Sequence, residues 1–240
     1  MTFVQTALSQ VFPPTCLSCA APVVETFGLC GTCWRDTHFL GTAVCDKCGT
    51  PVAGSEAGAI CDECLTIDRP WDQGRAALVY GGSGRKMVLG LKHGDRHDIV
   101  PAAAQWMEQA SRGLHLAEDT LAVPVPLHWR RQMSRKFNQS ALLAQAWAAR
   151  RGFLCVDTAL KRVRNTVSMD GKSAEERFRN VDAALKVRDK YKHLIAGRDC
   201  VIVDDVMTSG ATFHAAANAL RDAGAARICV LALARVVKQP

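Results

Sequence analysis

The 240-residue chain is 48% apolar and 22% charged, which excludes a disordered or low-complexity polypeptide. Its length accommodates one α/β domain of ordinary size and a smaller appendage. The net charge of +7 suits phosphate-rich partners, and the longest purely apolar run, Ile228 to Ala234, is far too short to span a bilayer, so no membrane insertion is expected.

The first residues, MTFVQTALSQVFPPTC, lack a basic region followed by an apolar one, and a cytoplasmic location is expected. In that compartment, eleven cysteines, eight of them in regular pairs, point to metal rather than to disulfides. Four Cys-x-x-Cys pairs occur: Cys16 and Cys19, Cys30 and Cys33, Cys45 and Cys48, Cys61 and Cys64, with gaps of ten, eleven and twelve residues. A two-residue spacer lets one tight turn present both thiolates to a tetrahedral ion, and a second turn completes the set, so eight sulfurs make two sites. Two structural zinc ions are expected, because a closed four-cysteine site leaves no position for substrate. The same sulfurs also suit an iron–sulfur cluster or redox dithiols. Pairing of neighbours in sequence is favoured, with a cross-braced arrangement as the alternative. The segment has too few large apolar residues for a core of its own, so metal must stabilise it. We place this module at residues 1–70 and a second domain at residues 71–240.

From His128 to Arg179, twelve Lys/Arg stand against four acids, a local excess of eight. Such a concentration fits a phosphate-rich ligand or nucleic acid, and equally a solvated helix face. Trp129, Phe137 and Trp147 lie among these cations. Phe137 and Trp147 fall at helical spacing with Leu142, Leu143 and Ala146, which favours packing over base stacking for both. Cys155, Cys200 and Cys229 sit singly in apolar surroundings and read as buried thiols.

The segment from Asp199 to Ala234 spells strand, loop, helix, turn and strand. Val201 to Val203 and Ile228 to Leu233 are apolar runs suited to buried strands. Phe213, Ala216, Ala217 and Leu220 recur at helical spacing, and Gly224 is the expected C-terminal cap. Between strand and helix, Met207, Thr208, Ser209, Gly210, Ala211 and Thr212 place unpaired N–H groups and the helix dipole where an anion can sit. Asp204 and Asp205, just before, are expected to accept hydrogen bonds from vicinal sugar hydroxyls. Diol and phosphate together indicate a ribose 5-phosphate. The loop lacks the Gly-Lys-Ser/Thr of a Walker A motif and the three glycines of a dinucleotide fingerprint.

The run DDVMTSGAT resembles the phosphoribosyl pyrophosphate loop of type I phosphoribosyltransferases. With Val123-Pro-Val-Pro-Leu-His128, Arg135-Lys-Phe-Asn-Gln139, Ala77-Leu-Val-Tyr-Gly-Gly, Lys92 in Leu-Lys-His-Gly-Asp, and Arg164, Thr166, Arg177 and Asn180, the chain resembles the ComF family along its full length. That resemblance implies an α/β fold: a mostly parallel sheet flanked by helices, with a small N-terminal double zinc ribbon. It implies that Asp204 and Asp205 act on the ribose diol, that residues 208–212 hold the 5-phosphate, that Val123 to Pro126 border the pyrophosphate and that magnesium bridges diol and pyrophosphate oxygens. Lys92 and Arg135 become candidate pyrophosphate ligands, with Asn138 and Gln139 orienting their loop. Lys136 replaces a usual glycine and Met169 a usual glutamine, which bears on base or pyrophosphate recognition and leaves the phosphate loop untouched.

Three functions follow from this reading. The first is transfer of ribose 5-phosphate with loss of pyrophosphate, to an acceptor the sequence does not identify. The second, which the resemblance implies, is an accessory role in competence, handling single-stranded DNA. The third makes the zinc module a docking surface for a DNA-uptake protein.

Overall fold

The apolar β-branched runs at the C-terminal end form the centre of a sheet. The computed structural model describes residues 13–54, 58–127, 137–163 and 185–237. In chain order its strands are β1 (Gln73–Val79), β2 (Leu121–Pro124), β3 (Leu154–Cys155), β4 (Leu160–Arg162), β5 (Leu185–Val187), β6 (Asp199–Met207) and β7 (Arg227–Arg235). Its helices are α1 (Gly31–Arg35), α2 (Asp62–Thr66), α3 (Gly82–His93), α4 (Ile99–Ala110), α5 (Gln139–Arg151), α6 (Lys192–Ile195) and α7 (Ala211–Asp222). Five strands pair in parallel in the order β1-β7-β6-β2-β3, and β4 and β5 form a separate antiparallel pair. Helices therefore cover a mostly parallel sheet, as expected.

Alternation along β6 divides the core between two faces. Cys200 and Ile202 face one side with Phe213, Ala216 and Leu220 of α7, together with Trp71, Cys45 and Cys48. Val201 and Val203 face the other with Met87, Leu91, Met107, Leu143 and Trp147 of α3, α4 and α5, together with Leu17. Both faces are covered, so β6 and β7 read as continuous apolar runs. The two cysteine groups thus pack against opposite faces of one sheet. Between them the chain runs along the open edge of β1: Leu40 N–H donates to Ala77 O at 2.9 Å and Val79 N–H to His38 O at 2.8 Å, which blocks that edge from pairing elsewhere.

The structure adjusts several expectations. Strand β6 continues four residues beyond Val203, because its ladder to β7 persists through Asp204, Val206 and Met207. Asp204 and Asp205 accordingly lie within the strand. Gly224 follows the C-cap Ala223 and takes φ +86°, while Ala225 N–H bonds back to Leu220 O. Cys200 and Cys229 are buried, whereas Cys155, on the two-residue edge strand β3, is only partly so. Trp147 is fully buried, donates to Ser111 Oγ at 3.1 Å and meets Phe153 edge-on, so it packs and offers no face to a base. Phe137 is half-buried against His97. Arg135, Trp129, the segment from Arg164 to Asn180 and most of the basic stretch lie outside the described residues. Among the described residues no helix is long and apolar enough to cross a membrane.

Candidate functional site

The cysteine segment is built from one device used twice. After Cys16 and after Cys45 the chain folds into a tight turn: Ala20 N–H returns to Cys16 O and Gly49 N–H to Cys45 O, at 2.9 and 2.8 Å. The turning residue takes φ +61° at Ala20 and φ +70° at Gly49. In each half the next pair starts a short helix, with Cys30 at the N-cap of α1 and Cys61 at that of α2. The sulfurs gather as Cys16, Cys19, Cys30, Cys33 and as Cys45, Cys48, Cys61, Cys64, each group within 4.8 Å. Neighbouring pairs therefore share a site, and the cross-braced alternative does not occur.

The Sγ atoms of Cys19 and Cys30, and of Cys48 and Cys61, stand 3.7 Å apart. A zinc–sulfur bond of about 2.3 Å places tetrahedral sulfurs about 3.8 Å apart, so both groups fit zinc. A cluster of several irons would hold them further apart. The N–H groups of Cys30 and Cys61 donate to Cys16 Sγ and Cys45 Sγ, both at 3.3 Å. Against burial, backbone N–H groups of Cys30 and Cys19 lower the Cys16 thiol to about 6. A hydrogen bond from Cys48, with the Cys61 N–H, holds Cys45 near 4 despite burial. Thiols so disposed are ready to lose their protons to a cation.

The second site forms where β6 ends. Asp204 Oδ1 accepts from Ser140 Oγ at 2.7 Å and from the Asp205 N–H at 2.9 Å. Exclusion of water, then the charge of Asp205, pushes the Asp204 carboxyl up to about 7, against Ser140 and Lys92. Asp205 is 8% exposed, and Lys92 Nζ stands 3.0 Å from its Oδ1. Asn138 caps α5 by accepting from Ser140 N–H and donates from Nδ2 to Val125 O, each at 3.1 Å. Val125 N–H in turn donates to Val203 O at 2.9 Å, and Gln139 donates to Lys92 O at 3.4 Å. Lys92, the Val123 to Pro126 segment, Asn138, Gln139 and the aspartates thus converge, from four elements, at the end of β6.

The turn beyond is short. Met207 closes β6; Thr208, Ser209 and Gly210 form the loop; Ala211 and Thr212 already belong to α7. Gly210 has φ +82°, which favours glycine, and a Cβ there would sit 2.8 Å from Arg69 Nη1 and so displace that guanidinium. Arg69 Nη1 donates to Ser209 O at 2.7 Å, and Arg235 Nη1 donates to the carbonyls of Met207 and Thr208. Sequence reasoning missed Ser140, Arg69 and Arg235. The cation that closes the apolar run Ile228 to Ala234 was the available signal for Arg235; Ser140 and Arg69 carry none.

Comparison with known proteins finds two family models along the chain. Residues 7–65 match the double zinc ribbon domain, and residues 148–239 match the phosphoribosyl transferase domain. The DNA utilization protein YhgH of Salmonella typhimurium is 32% identical over 232 residues, which span 94% of this chain and 98% of that one. Competence protein F of Haemophilus influenzae is 27% identical over 225 residues, 92% of this chain and 96% of that one. Competence protein ComFC of Bacillus subtilis is 24% identical over 208 residues, 82% and 80% of the two chains.

Proposed function

The chain belongs to the ComF family, joining a double zinc ribbon to a phosphoribosyltransferase domain, and from that premise we propose that the end of β6 binds phosphoribosyl pyrophosphate with magnesium and supports transfer of its ribose 5-phosphate. One observation carries this reading: two adjacent carboxylates, Asp204 and Asp205, lead directly into a glycine turn at the head of the twelve-residue helix α7.

The 5-phosphate takes the N–H groups at the start of α7, the hydroxyls of Thr208, Ser209 and Thr212, and the positive end of the helix dipole. The carboxylates of Asp204 and Asp205 accept from the ribose hydroxyls. Lys92 neutralises pyrophosphate charge, a role Arg135 shares in this reading. Asp204 and Asp205 also offer the hard oxygen donors that magnesium prefers; the ion, when bound, offsets charge on the departing pyrophosphate. In the transfer, the bond from C1 of the ribose to the pyrophosphate oxygen breaks, its electron pair leaves with pyrophosphate, and an acceptor lone pair forms the new bond at C1. The carboxylates lie beside the positive charge that develops on the ring. Zinc, held by the two four-cysteine groups, supplies crosslinks in a segment without an apolar core of its own.

Calorimetric titration with phosphoribosyl pyrophosphate and magnesium tests this reading. Saturable binding to the wild-type chain, lost in an Asp204→Asn, Asp205→Asn double variant that keeps its zinc, supports it. No binding to folded, zinc-loaded wild type rejects it.

A second reading, a DNA-handling accessory role with the zinc ribbon as docking surface for an uptake protein, draws on the names of the relatives and on the net charge of +7. Binding of single-stranded DNA that weakens steeply with salt would support it, since phosphate contacts release counterions.

A further inference from the structure

The floor beneath the phosphate loop is made by two arginines that no motif announces. Arg69 is 4% exposed and Arg235 3% exposed, yet both turn their guanidinium groups toward the loop. Arg69 takes the carbonyl of Ser209 at 2.7 Å, and Arg235 takes those of Met207, at 3.3 Å, and Thr208. Three consecutive carbonyls are thereby fastened. Every peptide among the described residues is trans, and in a trans peptide N–H points opposite to C=O. Holding the carbonyls of residues 207–209 on the arginine side therefore turns the N–H groups of Thr208, Ser209 and Gly210 away from it, where an anion can meet them. The missing Cβ of Gly210 leaves the room that Arg69 and the Trp71 ring occupy.

Both arginines reach one carboxylate. Glu63 Oε1 stands 3.3 Å from Arg69 Nη2, and Glu63 Oε2 stands 3.9 Å from Arg235 Nη2. Glu63 lies in α2 between Cys61 and Cys64, so its place is set by the second cysteine group. Among the described residues the two buried cations meet on this one carboxylate, and a buried charge keeps its place only where it is paired. Four thiolates around zinc would give the second cysteine group, which holds this carboxylate, a net charge of about −2.

We propose that Glu63, Arg69 and Arg235 are positioning residues that tie the geometry of the phosphate loop to the second cysteine group, so that the metal held by Cys45, Cys48, Cys61 and Cys64 sets how well the loop receives a phosphate. The proposal rests on reading residues 208–212 as the phosphate site. It also gives the two metal groups different roles, since the first packs on the opposite face of the sheet, with Leu17 among α3, α4 and α5.

The test follows amide hydrogen exchange over residues 207–212 in the full chain, zinc content, and titration with phosphoribosyl pyrophosphate plus magnesium. The variants are Glu63→Gln, Arg69→Met, Cys64→Ala and, as a control ion pair elsewhere, Glu108→Gln, whose partner is Arg150 at 2.6 Å. Glu63→Gln and Arg69→Met should keep two zinc ions, speed loop exchange on the order of tenfold and weaken ligand binding by a similar factor, the size expected for one lost charge-assisted hydrogen bond. Cys64→Ala should lose one zinc and speed loop exchange at least as much. Glu108→Gln should leave the loop unchanged. Unaltered loop exchange in Glu63→Gln, or equal loosening in Glu108→Gln, overturns the proposal. Should Arg69→Met fail to fold, Glu63→Gln decides, because that side chain is 28% exposed and its neutral isostere fills the same space. If wild type binds no phosphoribosyl pyrophosphate, the ligand assignment falls while the exchange data still judge the network.

Discussion

The ammonium of Lys92 stands 3.0 Å from Oδ1 of Asp205, joining the last turn of α3 to the end of β6. Both side chains are largely buried, so this contact is screened less than a surface pair. Replacing Lys92 with Met takes that cation away from Asp205. The variant should melt lower by the equivalent of about 1–3 kcal/mol and bind phosphoribosyl pyrophosphate about tenfold more weakly, with two zinc ions retained. Thermal denaturation and calorimetry check the two effects separately.

Asp204 makes stability depend on pH in a stated direction. Its carboxyl titrates near 7 in the folded chain, against an ordinary value of 3.8, chiefly because water is excluded and Asp205 is adjacent. The folded state therefore holds the proton more tightly, and stability from this group is full below about 4 and declines as pH rises toward 7. Asp204→Asn cannot ionise. It should melt roughly 10 °C above wild type at pH 8, with the gain vanishing toward pH 4. A gain independent of pH would show that Asp204 titrates as an ordinary carboxyl.

Ligand affinity should follow the same group with the opposite sign. Hydroxyl and magnesium contacts need the carboxylate, so binding of phosphoribosyl pyrophosphate with magnesium should tighten from pH 6 to pH 8. Part of that change belongs to the ligand's own phosphates. The part that disappears in Asp204→Asn, measured by calorimetry at each pH, belongs to the protein.

Gly210→Ala should be the most damaging small substitution in the loop. It demands φ +82° of a residue with a side chain and drives a Cβ to within 2.8 Å of Arg69 Nη1. A loss of about 1–3 kcal/mol is expected, together with loss of ligand binding. Gly152, also at positive φ but with nothing within 4 Å, is the natural control: Gly152→Ala should cost about 1 kcal/mol and leave binding intact.

Metal removal should act on folding first. Elemental analysis should return two zinc ions per chain, and a strong chelator should lower the melting temperature irrespective of phosphoribosyl ligands. Cys19→Ser and Cys61→Ser should each remove one ion. A chain that retains its melting temperature without metal would mean that apolar packing alone holds the cysteine segment.

Much of this was legible in the residues themselves, because the determining interactions are local. Cys-x-x-Cys spacing brings two thiolates to one ion whether the pair sits in a turn or at a helix start, the continuous apolar runs of β6 and β7 prescribe strands buried on both faces, and Gly210 between Ser209 and Ala211 marks the turn into α7. Spacing alone also favoured neighbouring cysteine pairs, and the sulfurs gather that way. Only the tertiary structure could decide what meets across long separations. Ser140 reaches Asp204 over 64 positions, Lys92 reaches Asp205 over 113, and Arg69 reaches Ser209 over 140. These pairings depend on strand order, which local periodicity does not encode. For the same reason the sheet extends β6 through Asp204 and Asp205: its ladder with β7 supplies hydrogen bonds that outweigh the poor strand propensity of aspartate.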